Sequence, residues 1–306
     1  MIKLEVYNET ATLEAVVLGI HESLGGVPRL EDAYDPKSKE HIRSNTYPKE
    51  VDIKKELDAF EKVLLRYDVT VIRPEIQRDN NQVFVRDIGI VIEDRFIVPQ
   101  ILDKRLKEID GINFLIDQID QKKLLKTSGS VRIEGGDVIL WNEQIFVGYS
   151  KEADFKKHIV SRTNEAGVEF LMDHFENWTI RAFELRKSDQ NPFENALHLD
   201  CCFQPIGVNK AIIHKEGFKN KADADWLIGY FGVDNVIEIS AEEMYHMNAN
   251  VFSISPEVIV SERKFYRLNE KLRSIGFLVE EIPFAEIAKM EGLLRCSTLP
   301  LKRCYV

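Results

Sequence analysis

One thiol, one imidazole and three carboxylates stand in or beside short apolar runs of this sequence, where an unpaired polar group costs free energy. His198 and Asp200 lie two residues apart in Leu197-His198-Leu199-Asp200-Cys201-Cys202-Phe203, so an extended strand would send both to one face. Asp87 and Glu134 occupy comparable runs, and Cys296 follows Gly292-Leu293-Leu294-Arg295. A thiolate is a nucleophile, and an imidazole beside it relays protons when a carboxylate orients or polarises the ring. Surplus carboxylates around a nucleophile would repel the oxyanion of an acyl or phosphoryl transfer. They suit a planar cation such as guanidinium, which accepts bidentate carboxylate pairing. Covalent attack at the central carbon of that cation is the chemistry this set points to.

Each group also has a plainer role open to it. His198 alone reads as a satisfied core or turn histidine, and Asp87 as half of a local ion pair with Arg86. Glu134-Gly135-Gly136-Asp137 reads as a glycine-rich bend at a strand start, and Cys296 as a small buried residue. Cys201, Cys202 and Cys304 are assigned such structural roles, as are His21, His41, His158, His174, His214 and His246. The joint occurrence of the others at one phase of a repeat favours the chemistry.

That repeat sets the elements that must position them. A short apolar strand, a turn, a second strand and a helical stretch recur. The copies run from Val83, Ile133, Leu197 and Asn250, with turns at Glu93-Asp94-Arg95, Asn142-Glu143, the residues before Lys210, and Ser255-Pro256-Glu257. Anchored at Asp87, Asp137, Asp200, Asn250 and Cys296, the steps are 50, 63, 50 and 46 residues. Residues 13–20 supply a further strand beside the Cys296 unit if the chain closes on itself. Helical periodicity is clear over residues 53–67 and in the Phe265, Leu268, Leu272, Ile275 stripe, and weaker over 103–119, 155–175 and 221–231. About five ββα-like units around an axis would make one closed α/β domain over residues 1–306, although length alone would allow two domains. An ordinary α/β fold with coincidental spacing is the alternative.

Composition narrows the classes. The 306 residues carry 41 Lys+Arg against 51 Asp+Glu, a formal charge of −10, with 44% hydrophobic residues. The acidic balance argues against a general nucleic-acid binder and is compatible with a cationic substrate. No Cys-x-x-Cys pair is present, so neither a zinc site nor a disulfide framework is expected. No secretory signal or membrane-spanning run is evident at the start, and a reduced, cytoplasmic protein is the default.

The set Phe84-Val85-Arg86-Asp87, Glu134-Gly135-Gly136-Asp137, His198-Leu199-Asp200 and Arg295-Cys296-Ser297-Thr298-Leu299-Pro300 resembles the guanidino-group-modifying enzymes of the pentein superfamily. These include arginine deiminases, dimethylarginine dimethylaminohydrolases and amidinotransferases. The resemblance implies a five-bladed α/β propeller about a pseudo-fivefold axis and no metal or organic cofactor. It makes Cys296 the nucleophile, His198 the general acid/base, Glu134 its carboxylate partner, and Asp87 and Asp200 the guanidinium holders. Arg162 is the candidate ligand for a substrate carboxylate, with Arg295 as a second substrate-binding arginine. A covalent amidino-cysteine is then released by water in hydrolases and by an acceptor amine in amidinotransferases. Two departures bear on substrate identity: Gly148-Tyr149-Ser150 and Arg162-Thr163-Asn164 are separated by an insertion at residues 151–161, and the segment before Cys296 lacks a multi-glycine run. Glu134-Gly135-Gly136-Asp137 resembles the hydrolase branch, so hydrolysis of a C–N bond in an arginine-like guanidine is favoured over amidino transfer. A catalytically silent, propeller-like binding protein is the alternative of another class, and a homodimer is possible. Residues 25–49 read as a long loop, either a lid over the site or a surface excursion.

Overall fold

The computed structural model describes residues 3–304. Within them the chain forms β1 (Thr12–Leu18), β2 (Thr70–Ile72), β3 (Ile90–Ile92), β4 (Arg95–Val98) and β5 (Leu124–Lys126). The central strands are β6 (Val138–Trp141), β7 (Gln144–Tyr149), β8 (Thr179–Glu184), β9 (Phe203–Ile206), β10 (Lys210–Ile213) and β11 (Val236–Glu238). The last are β12 (Phe252–Ser253), β13 (Val258–Glu262), β14 (Leu278–Ile282) and β15 (Thr298–Cys304).

Among the described residues these strands make five three-stranded mixed sheets on one plan. Two strands pair antiparallel across a tight turn, and the second pairs parallel with a third after a crossover. β15 takes the first place in its sheet, antiparallel to β1, which runs parallel to β2. The unit is therefore strand–strand–crossover–strand, one strand longer than the repeat expected from sequence. The third strands of three sheets, β2, β5 and β11, are three residues long and largely at the surface, too short to show an alternating pattern.

Both faces of the sheets are covered. Along β6, Ile139 and Trp141 join one apolar cluster while Val138 and Leu140 join another, as the two-residue strand period requires. Helix Glu50–Arg66 forms because Ile53, Leu57, Phe60 and Leu64 fall on one stripe, all fully buried. Phe60 meets Phe252 and Phe284 edge-on, with ring centroids 5.7 Å apart in each pair. Helices Lys221–Phe231 and Tyr266–Ser274 also fall where periodicity placed them. The stretch expected as one helix over 155–175 is two, Glu152–Lys157 and Glu165–His174, because the intervening chain returns to the buried Arg162 and Thr163. Residues 103–119 form mostly a 3-10 run, Asp103–Ile112, ahead of the four-residue helix Asn113–Ile116. No helix among the described residues is long and apolar enough to cross a membrane.

The polar residues expected inside first strands instead precede them. Asp87 lies in a turn before β3, Glu134 opens the 3-10 turn Gly135–Asp137 before β6, and His198 opens the 3-10 turn Leu199–Cys201 before β9. Asn250 and Cys296 stand just ahead of β12 and β15. The turns are closed by backbone bonds three residues apart, Asp137 N–H to Glu134 O at 3.0 Å and Cys201 N–H to His198 O at 3.1 Å. Such turns satisfy their own backbone and leave the polar side chains free to project.

Candidate active site

These turns deliver their side chains to a cavity of about 500 Å³ lined by Asp87, Arg105, Glu108, Arg162, His198 and Cys296. Cys296 is buried, with Sγ 3.7 and 3.9 Å from the two Asp200 carboxylate oxygens. His198 Nε2 lies 2.8 Å from Glu134 Oε2 and 3.8 Å from Asp87 Oδ1. His198 and Asp200 do not share a strand face: the turn sends the imidazole to Glu134 and the carboxylate to Arg295 and Cys296. Gly136 is required here, since a Cβ on it would lie 2.7 Å from the His198 ring. Its N–H donates to Asp87 Oδ1 at 3.0 Å, which ties the second and third sheets together at the site.

The charges are arranged in two groups. Glu134 accepts from Leu102 N–H at 3.0 Å, Arg162 Nη1 at 3.1 Å and Arg105 Nη1 at 3.4 Å. Burial pushes its carboxyl pKa up, but Arg162, His198 and Arg105 prevail and hold it well below the usual range. Burial alone would discharge His198, yet Asp87 and Glu134 raise its pKa above the ordinary histidine value, so the imidazolium is favoured. The second group surrounds the sulfur. Burial first, then Asp200 and Asp87, push the Cys296 thiol pKa well above its normal value, which favours the neutral thiol.

Arg295 corrects an expectation. It is fully buried and absent from the cavity lining, with Nε and Nη2 on Glu9 at 3.1 and 2.9 Å, Nη1 on Asp200 at 2.8 Å, and Nη2 also on Val138 O at 2.8 Å. Its guanidinium clamps Asp200, whose carboxylate lies 3.7 Å from the thiol. Arg162 does line the cavity, with Nη1 on Glu134 and Nη2 3.4 Å from the Tyr34 carbonyl. The insertion before it loops out and rejoins: Ser150 N–H donates to Thr163 O at 2.9 Å, bringing Tyr149-Ser150 back beside Arg162-Thr163-Asn164.

Residues 25–49 supply part of the cavity lining. They hold helix Pro36–Arg43, whose N-cap Asp35 accepts from Ser38 N–H at 2.6 Å and whose first position is proline. Tyr34, Tyr47 and Asp35 line the cavity, with the Arg162 guanidinium 5.3 Å from the centre of the Tyr34 ring.

Sequence reasoning missed several participants. Arg105 bonds Asp87 at 2.8 Å and Glu108 at 2.8 and 2.9 Å, but it lies in a charged stretch with no motif around it. Glu9 meets Arg295 from 286 positions away, which no local pattern reports. Asn250 had a signal, because it marks the same phase of the repeat as Asp200 and Cys296. Donor atoms of Asp87, Glu134 and His198 lie within 4.8 Å of one another, a spacing that a metal could use only by displacing Arg105 and Arg162 from the carboxylates.

Comparison with known proteins identifies the family of the chain. The family described as N,N dimethylarginine dimethylhydrolase, eukaryotic, matches residues 32–303. The chain belongs to this family. Membership places it among the guanidino-group-modifying enzymes of the pentein superfamily. It is 31% identical over 225 residues to YkgA of Bacillus subtilis (strain 168), covering 72% of this chain and 70% of that protein. It is 24% identical over 233 residues to the N(G),N(G)-dimethylarginine dimethylaminohydrolase of Pseudomonas aeruginosa, covering 76% of this chain and 81% of that one. The arginine deiminase of Oenococcus oeni matches over 56% of this chain at 22% identity, and the match spans only 47% of that relative. In three dimensions the fold is similar to inosamine-phosphate amidinotransferase from Streptomyces griseus, with a TM-score of 0.77 at 15% identity, covering 100% of this chain and 98% of the other.

Proposed function

We propose that this dimethylarginine dimethylhydrolase family member hydrolyses a C–N bond in arginine or a related guanidine through a covalent intermediate on Cys296. The five sheets are then the blades of a five-bladed α/β propeller in one catalytic domain over residues 1–306. The observation that supports the activity is the meeting of Cys296, His198 and Asp87 on one cavity wall, with Asp200 and Glu134 directly behind them.

The chemistry follows from the charges. A guanidinium entering beside Asp87 and Asp200 offsets the negative charge that keeps the thiol neutral, so the substrate itself favours the thiolate, and the thiol proton is released to solvent. Sulfur attacks the guanidinium carbon and forms the C–S bond. The imidazolium of His198, held by Glu134 at 2.8 Å, gives its proton to the departing amine as the C–N bond breaks. Neutral His198 next takes a proton from water, whose oxygen attacks the same carbon. The C–S bond breaks as the added hydroxyl gives its remaining proton to solvent, where the released ammonia or amine takes it up, leaving a ureido product, the thiolate and His198 as imidazolium. Arg162 is a buried cation on the cavity wall that keeps N–H groups for a substrate carboxylate, whereas Arg105 is taken up by Asp87, Glu108, Glu134 and the Phe84 carbonyl.

The test is incubation with arginine, methylated arginines and agmatine, measuring ureido product and released ammonia or amine. The reading expects turnover of at least one substrate with water as the sole acceptor. Activity that begins only when glycine, ornithine or another acceptor amine is added would replace hydrolysis with amidino transfer.

A further inference from the structure

We propose that Asn250 aims the Cys296 sulfur and stabilises its thiolate, acting as a positioning residue for the nucleophile. Its side chain is fully buried and meets Cys296 at two atoms. The Cys296 backbone N–H donates to Oδ1 at 3.1 Å, and Nδ2 stands 3.2 Å from Sγ. The backbone contact fixes the amide orientation, because only the oxygen can accept from an N–H. Nδ2 is thereby turned toward the sulfur, and it also lies 3.3 Å from the Asp200 carbonyl. One amide ties the nucleophile's turn to the turn that carries Asp200.

The two side chains touching the sulfur act in opposite senses. Asp200 opposes ionisation from 3.7 Å, whereas Asn250 presents a hydrogen. With a neutral thiol the Asn250 contact is a weak hydrogen bond. Once the thiolate forms it is charge-assisted, while the Asp200 contact becomes repulsive. The interaction therefore strengthens in the state that attacks the substrate, which is the condition for lowering a barrier rather than merely holding a fold. The amide sits at the same repeat phase as Asp87, Asp200 and Cys296, so the sheet of β12, β13 and β14 contributes to the site as the others do.

The proposal rests on Cys296 being the nucleophile, and its test reads the thiol without any substrate. Asn250→Asp preserves volume and an oxygen for the Cys296 N–H but removes the hydrogen facing sulfur. Alkylation by iodoacetamide is followed by peptide mass spectrometry between about pH 7 and 10, with Cys304 as internal reference. The expected result is alkylation of Cys296 slowed about tenfold at each pH, equivalent to about one unit in thiol pKa, with Cys304 unchanged. With a turned-over guanidine, kcat falls while KM stays within about threefold. A merely structural role gives the opposite sign, since a loosened pocket exposes Cys296 and speeds alkylation. Because Asn250→Asp also sets a carboxylate beside the sulfur, the uncharged Asn250→Ala is read as well, by ultraviolet thiolate absorbance against a Cys296→Ser baseline, which is insensitive to access. A smaller thiolate fraction at matched pH is expected there. An unchanged or faster Cys296 reaction in folded Asn250→Asp, or an unchanged thiolate fraction in Asn250→Ala, overturns the proposal. Absence of guanidine turnover by the wild-type protein counts against the reading of the site and leaves the thiol comparison intact.

Discussion

Replacing Glu9 by glutamine tests how the site is held from below. Glu9 is buried, and its carboxylate grips the guanidinium that clamps Asp200 behind the nucleophile. Burial raises its pKa, but Arg295 and Arg86 prevail and bring it from 4.5 to about 2. That displacement corresponds to about 3 kcal/mol favouring the charged form in the folded protein. Glutamine keeps the volume and one acceptor oxygen, but its NH₂ group would face an Arg295 donor. It also leaves Arg86, Arg295 and Arg303 with less compensating charge, and breaking a buried pair typically costs about 3–5 kcal/mol. The expected loss is therefore about 3 kcal/mol at neutral pH, lowering Tm by about 5 °C for a chain of this size. The pH dependence carries a sign. A depressed carboxyl pKa contributes stability that is present above pH 4.5 and lost as pH falls toward about 2. Glutamine does not titrate, so the gap between wild type and Glu9→Gln should be full above about pH 5 and close near pH 2. Denaturant titrations across that range measure it, with kcat read in parallel and expected to fall about tenfold as Asp200 loses its clamp. A variant within about 1 kcal/mol of wild type at pH 7, or a gap that does not narrow with acid, would refute the electrostatic reasoning.

Three further outcomes follow from the same geometry. Glu134→Gln removes the charge that sustains the His198 imidazolium, so the alkaline limb of kcat, where the general acid is lost, should move to lower pH; a pH–rate profile with an unmoved limb contradicts that role. Arg162→Gln should raise KM for arginine at least about tenfold more than for agmatine, which lacks the carboxylate; equal changes for both would place Arg162 outside substrate recognition. Gly136→Ala puts a Cβ 2.7 Å from the His198 ring, so it should lower kcat sharply and cost about 1–3 kcal/mol of stability, checked by kinetics and thermal melts together.

Much of the site was legible because its residues keep one phase of a repeat. Asp87, Asp137, Asp200, Asn250 and Cys296 all lie within three residues of the start of a first strand, so their spacing reported the sheets even though the strands begin later than the apolar runs suggested. Turns rather than strands carry them because a turn can close its own hydrogen bonds and still point a carboxylate or imidazole into the cavity. That substitution is why the shared face expected for His198 and Asp200 was not found. What stayed hidden was contact across the chain. Arg295 adjoins the nucleophile in sequence and so looked like a substrate ligand, but Glu9 and Asp200 saturate it from behind. Arg105 reaches Asp87 from a 3-10 run whose charged, weakly periodic sequence gave no reason to single it out. The short outer strands escaped for the opposite reason, being too brief and too exposed for alternation to register.

The central claim, covalent hydrolysis at Cys296, is tested most directly by rapid acid quench of the protein turning over arginine, followed by peptide mass spectrometry. Hydrolysis that releases ammonia predicts an adduct on the Cys296 peptide that retains the carbon chain of the substrate, decays to a ureido product in water alone, and is absent in Cys296→Ser. An adduct carrying only the amidino carbon, stable until an amine is supplied, or turnover that survives Cys296→Ser, would contradict the account.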